Sequence, residues 1–158
     1  MSAFNDYVGR IVDLSLFAGW TAGTTLANLQ MTLSNGDAGV VTGIAKLVQR
    51  FLLTWLTDQG SMPYLPNAGT DFMLQLQSGS IRTDNDAIAF FGFAMQSVSS
   101  QMQAEELATD PNDERFASAV LLGTSIVGDT LTYSVQVNSL AGSSRQVILP
   151  IPLSPLGI

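Results

Sequence analysis

From Ile44 onward the apolar positions recur at helical spacing. Ile44, Leu47, Val48, Phe51, Leu52 and Trp55 stand at i, i+3, i+4, i+7, i+8 and i+11. That spacing puts them on one face of an amphipathic helix, predicted over residues 42–55 with Thr42 as its N-cap. The pattern then breaks. Gly60, Pro63, Pro66 and Gly69 follow within a short span, at a density no helix carries. This predicts an ordered loop running to Phe72.

A second helix is expected from Asp84 to Leu107. Thr83 and Asp84 offer N-caps, and Asp86 adds negative charge to the first turn. Ile88, Phe91, Met95, Val98 and Met102 form its expected buried stripe, while Phe90 and Phe93 either widen that face or meet a partner chain. Asp110-Pro111-Asn112 ends the helix.

Beyond it the period changes from helical to alternating. "ERFASAVLLGTSIV" reads as a strand, and Gly128-Asp129 as a hairpin turn. In "LTYSVQVN", Leu131, Tyr133, Val135 and Val137 share one face, opposite Thr132, Ser134, Gln136 and Asn138. "RQVILPIPL" is a third strand whose Pro150 and Pro152 cannot donate to a ladder, which assigns it to an edge or an arm.

The expected fold is therefore α+β, with two main helices packed on a C-terminal three-stranded antiparallel sheet. Residues 1–41 alternate short apolar runs with turns, Asn35-Gly36-Asp37 among them, and read as short strands or an extended arm. The whole chain, 1–158, reads as a single domain divided into this arm, a helical part over 42–109 and the sheet over 113–153.

Composition changes the picture in two ways. Apolar residues make up 46% of the chain and charged ones only 12%. An isolated domain of this size ordinarily carries about twice that share of charge, so a surface largely covered by neighbours is expected. Histidine and cysteine are both absent. Their absence removes disulfides, thiolate metal sites, cysteine nucleophiles and every serine–histidine arrangement.

The six basic residues are scattered through a chain of net charge −7 and form no stripe for a phosphate backbone, so nucleic acid is not an expected partner. No apolar run approaches the ~20 residues of a membrane span. The N-terminal "MSAFNDYVGR" lacks the pattern of a signal peptide. Synthesis in a cytoplasm, with no membrane contact, is the expectation.

What chemistry is left belongs to carboxylates. Glu105 and Glu106 fall near Asp110, Asp113 and Glu114, and a glycan hydrolase needs two such groups flanking a cleft. Acids around a helix end are more often a solvated cap. "DPNDE" has oxygen ligands without the spacing of a calcium loop. No metal, cofactor or catalytic residue is expected.

The order of these pieces resembles the baseplate wedge and sheath-initiator family of contractile phage tails, the gene-product-twenty-five-like proteins. The matching segments are Asp13-Leu14, "VVTGIAKLVQRFLLTWLT", Gly60, "PNAGTDF", the helix from Asp84, and "DERF" before the sheet, spanning about residues 11 to 152. The family's acidic-Pro-Arg motif appears as Asp113-Glu114-Arg115, with Pro111 two residues upstream of the expected proline.

The resemblance implies a structural virion protein of the tail baseplate. Its partners would be wedge proteins, the tail sheath protein and the central tube or hub, with six copies around a sixfold axis. Open sheet edges would accept the first sheath ring by strand addition. The implied interface residues are Asp113, Glu114 and Arg115 with Val147 and Leu149 of the last strand. The alternatives are the same part of a bacterial contractile secretion system, or a carboxylate-dependent peptidoglycan hydrolase.

Overall fold

A computed structural model describes residues 40–153 together with the pairs 13–14, 33–34 and 37–38. Four two-residue strands come first: β1 (Asp13–Leu14), β2 (Leu33–Ser34), β3 (Asp37–Ala38) and β4 (Val40–Val41). β1 pairs antiparallel with β4, and β2 with β3. Ser34 opposite Asp37 is the closure that the Asn35-Gly36 signal predicts, although those two residues, like most of the N-terminal arm, lie outside the described residues.

Three helices follow: α1 (Gly43–Leu56), α2 (Phe72–Gln77) and α3 (Asp84–Glu105). The chain ends in an antiparallel meander of β5 (Phe116–Val127), β6 (Thr130–Ser139) and β7 (Ser144–Pro152), in the order β5-β6-β7. The fold is α+β, as the pattern predicts.

α1 buries its stripe as expected. Leu47, Val48, Phe51, Leu52 and Trp55 are all buried against the sheet, and Ile44 is half-buried at the helix entry. Trp55 is the hub, with its ring centroid 5.1 Å from Phe72, 5.3 Å from Phe91 and 5.2 Å from Tyr133. Those separations fall in the range of favourable tilted and edge-to-face pairs. Burying each such side chain contributes roughly 1.5–3 kcal/mol.

α3 departs from expectation at one end. Its buried stripe is Ala87, Phe91, Ala94, Val98 and Met102, whereas Ile88 is exposed and Met95 half-buried. The helix starts on a capping box, in which the Thr83 hydroxyl accepts from Asp86 N–H and the Asp86 carboxylate accepts from Thr83 N–H at 2.9 Å. That box fixes where the first turn begins. Small Ala87 then faces the sheet, where its carbonyl accepts a 2.9 Å bond from the buried Tyr133 hydroxyl. The six-residue α2 is an addition to the expected two helices.

The sheet alternates cleanly. Leu131, Tyr133, Val135 and Val137 of β6 are buried, and their β7 partners Val147, Leu149 and Ile151 lie on the same inner face. Gly128-Asp129 closes the first hairpin between Val127 and Thr130. β5 carries two register shifts, one between Phe116 and Ser118 and one between Leu121 and Gly123.

Candidate protein-interaction surfaces

The acidic-basic segment before β5 is built into the molecule on one side. Glu114 is 4% exposed. Its Oε1 accepts from the backbone N–H of Gly43 at 3.0 Å, and its Oε2 lies 2.9 Å from Lys46 Nζ. Thr42 occupies the N-cap position of α1 but makes no side-chain cap bond. The Glu114 carboxylate takes over that function, satisfying a helix N-terminal donor where negative charge is favoured. Gly43 has φ +60°, a conformation few residues other than glycine adopt, and the N–H so positioned is the one Glu114 receives.

Arg115 points the other way along the strand entry. Its Nε lies 3.7 Å from Glu106 Oε2, close for two charges but too long for a hydrogen bond, and the Nε itself is buried without one. The other Glu106 oxygen accepts from Phe116 N–H. Asp113 is half-buried between these groups in sequence. Of the predicted triplet, Glu114 is thus held inside the chain, while Asp113 and Arg115, the latter's side chain 30% exposed, are partly open to solvent.

The remaining candidate carboxylates also have structural work. Asp110 accepts from Leu107 N–H at 2.8 Å, and Glu105 lies 3.7 Å from Arg50 on the exposed flank of α3. A cavity of about 250 Å³ beside Glu105 is lined otherwise by Tyr64, Leu65, Pro66, Asn67, Ala68, Gln101 and Ala104, which brings no second carboxyl group to it. Among the described residues no cluster of three or more potential metal ligands occurs, and no helix is long and apolar enough to cross a membrane.

Val147 and Leu149 stand differently from the sequence-based expectation. Both side chains are buried, paired across from Val135 and Tyr133. Their faces belong to the core, so a contact made by β7 uses its backbone edge or its outer face, not these two side chains. The phase of that edge follows from two observations. Leu153 N–H donates to Asp129 O at 2.7 Å, and Pro150 and Pro152 have no N–H to give. The odd-numbered residues of β7 therefore bond to β6, and the outward positions are Ser144, Gln146, Ile148, Pro150 and Pro152. Two of those five positions cannot donate.

On β5 the same phase turns the N–H groups of Ala119, Thr124 and Ile126 outward. This strand is twelve residues long and contains neither proline nor a charged residue. Val120, Leu122 and Val127 are exposed on it. The outer face of the sheet continues the theme. Side-chain bonds of 2.8–3.0 Å join Ser118, Asn138 and Gln136 in one group and Ser134 with Gln146 in another, with no ionised group among them. Native edges are ordinarily guarded by lysine, proline or brevity. β7 has its prolines; β5 has its bulges, with α3 packed against the strand.

Two groups carry shifted proton affinities. Burial pushes the Tyr133 phenol well above the usual tyrosine range. The Thr83 hydrogen bond, together with the backbone amides of Arg82 and Thr83, holds Asp86 below its ordinary value.

The loop after α1 is closed at its base. Thr70 N–H donates to Thr57 O at 2.8 Å, Gln59 N–H to Thr70 O at 3.1 Å, and the Thr70 hydroxyl to Trp55 O at 2.6 Å. Gln101 of α3 holds Gly69 from both sides, accepting from its N–H and donating to its carbonyl, each at 2.8 Å. The tip presents Met62, Tyr64 and Leu65 to solvent, with Tyr64 95% exposed. The periodicity of α1 gives no sign of the Gln101 clamp, since its two halves lie 32 residues apart.

Compared with models of known protein families and with curated proteins, the chain finds no match.

Proposed function

We propose that this protein is a non-enzymatic baseplate component of a contractile tail that starts sheath assembly, offering the open edge of β5 to a strand of the first sheath ring. The observation that carries this reading is the β5 edge itself, twelve residues without a charge or a proline and with outward amides at Ala119, Thr124 and Ile126. An added strand gains affinity from backbone hydrogen bonds and register from alternate side chains. The uncharged outer face leaves no ionised group to be desolvated when a neighbour covers it. The order of sequence motifs supplies the identity of the machine, and wedge and hub proteins are the further partners it suggests.

β5 suits this task better than β7, whose Pro150 and Pro152 interrupt the run of outward donors. The test is a pair of charge guards, Val120→Lys with Leu122→Lys, at two exposed β5 positions. The variant is expected to fold normally and to lose sheath nucleation when mixed with the sheath protein of the same contractile machine. Normal sheath growth from the guarded variant would sink the proposal.

A further inference from the structure

The loop tip and a groove on α3 match in size and chemistry. The groove, about 250 Å³, is lined by Phe90, Phe93, Ala94 and Ser97 of α3 and by Gln59, Thr70, Asp71, Phe72 and Gln75 opposite. Its aromatic wall is a T-shaped pair, Phe90 and Phe93, with centroids 6.3 Å apart. Phe93 is 67% exposed. The volume lies below the ~300–1,000 Å³ of ordinary small-molecule pockets, but suits one large side chain. The chemistry of the lining is mixed: an apolar aromatic wall and one carboxylate, Asp71. A phenol ring matches both, its face or edge against the phenylalanines and its O–H donating to the carboxylate.

Such a phenol stands ready on the same molecule. Tyr64 is held between Pro63 and Pro66 and presented by turns in which Leu65 N–H donates to Met62 O and Ala68 N–H to Leu65 O. A tip restrained in this way loses little entropy on docking. In the structure Tyr64 does not occupy its own groove, being 95% exposed. The cavity beside the tip lies against Gln101 and Ala104 of α3, and the Gln101 clamp on Gly69 ties the loop there. Gln101 and Phe93 are separated by roughly 12 Å along the helix axis.

Charge points the same way. The copies repel through a net charge of −7, yet residues 59–70 carry no ionisable group except the Tyr64 phenol, so the tip can approach the groove without bringing carboxylates together.

We propose that the chain self-associates head to tail, with Tyr64 of one copy seated in the Phe90–Phe93 groove of the next. A contact between two different surfaces of one molecule is heterologous. It propagates into a ring where the rotation closes, or into a filament where it does not. The contact uses neither sheet edge and is measured on the protein alone, so its failure leaves the strand-addition reading standing.

The experiment is sedimentation equilibrium of the full chain at concentrations up to about 1 mM, the weak end of specific association. The wild type is expected to rise in mean mass with concentration. Tyr64→Ser and Phe93→Ser each change an exposed side chain, and each is expected to keep the wild-type melting temperature while weakening association at least about tenfold, as loss of an aromatic anchor does. Mixing the two variants is the decisive arm. Tyr64→Ser keeps an intact groove and Phe93→Ser an intact tip, so the mixture should form one-to-one dimers and stop there. A monomeric wild type, variants that associate normally, or a mixture that stays monomeric would each overturn the proposal.

Discussion

Glu114 and Lys46 meet at 2.9 Å across a sequence separation of 68 residues, and the same carboxylate caps the N-terminus of α1 through Gly43 N–H. Both side chains are largely withdrawn from water, 12% exposed for Lys46 and 5% for Glu114. Removing one partner of such a pair costs about 3–5 kcal/mol, because it strands a buried charge. Glu114→Ala is therefore expected to lower the urea midpoint sharply. Glu114→Gln should lose less, since an amide oxygen still accepts from Gly43. Equal and small losses for the two variants would show that the carboxylate does not hold α1 to the sheet entry.

Gly69 is expected to be intolerant of any side chain. Its φ is +95°, and a Cβ there would stand 2.3 Å from Thr57 O, a backbone atom that cannot swing aside. Gly69→Ala should cost at least about 2 kcal/mol from backbone strain and collision together. Gln101→Ala should cost about 1–3 kcal/mol by leaving Gly69 N–H without its partner and Gly69 O with only the long 3.4 Å bond from Ser97. The two losses should fall short of additive in the double variant, because both release the same loop. Chemical denaturation of the three variants checks this, and full additivity would show that the clamp and the turn act separately.

How much of this was legible beforehand depended on range and on side-chain size. The stripe of α1 and the alternation of β6 were readable because large apolar residues repeat at one period. In α3 the same reading chose Ile88, the larger residue, over Ala87. The capping box at Thr83 and Asp86 sets the phase, and Ala87 packs beneath Tyr133 where no bulkier group is needed. α2 was illegible because Phe72, Leu74 and Leu76 alternate as a strand would, over too few residues to display a helical period. In the interface triplet, residue types alone gave no direction: Glu114 turns inward to a helix 71 residues away in sequence, while Arg115 turns toward Glu106. Proline chemistry, by contrast, did place β7 at an edge.

Stability should fall at both extremes of pH for separate reasons. The Tyr133 phenol is raised by burial, so its contribution is fully present below the unfolded value of about 10 and is lost as pH rises toward the folded one. Asp86 is lowered, so its contribution is present above the unfolded value of about 3.9 and is lost as pH falls through the folded one. Tyr133→Phe should flatten the alkaline limb of a plot of melting temperature against pH, at a cost near 1 kcal/mol at neutral pH for the bond to Ala87 O. Asp86→Asn should flatten part of the acid limb. Unchanged limbs would remove these two groups as the source of the pH dependence.

Arg115→Ala separates a local role from an interface one. Locally, the side chain lies 3.7 Å from Glu106, whose other oxygen is already bonded to Phe116 N–H. Its loss leaves the Glu106 carboxylate, a side chain only 4% exposed, with one partner, which costs more than the ~1 kcal/mol of a surface pair. The guanidinium has five donors; its Nε is buried, so on the proposed baseplate role a carboxylate or carbonyl of a neighbouring subunit would take the terminal N–H groups of a side chain 30% exposed. Removing the guanidinium from a water-poor interface costs roughly 2–5 kcal/mol, much of it in the partner group left behind. The expected outcome is a clearly lowered melting temperature, with co-assembly at a temperature where the variant is still folded reduced further than that loss explains. On the proposed baseplate role, complementing a phage that lacks this protein and counting sheathed tails by negative-stain microscopy reads the second quantity. Wild-type numbers of complete tails would confine Arg115 to its pair with Glu106.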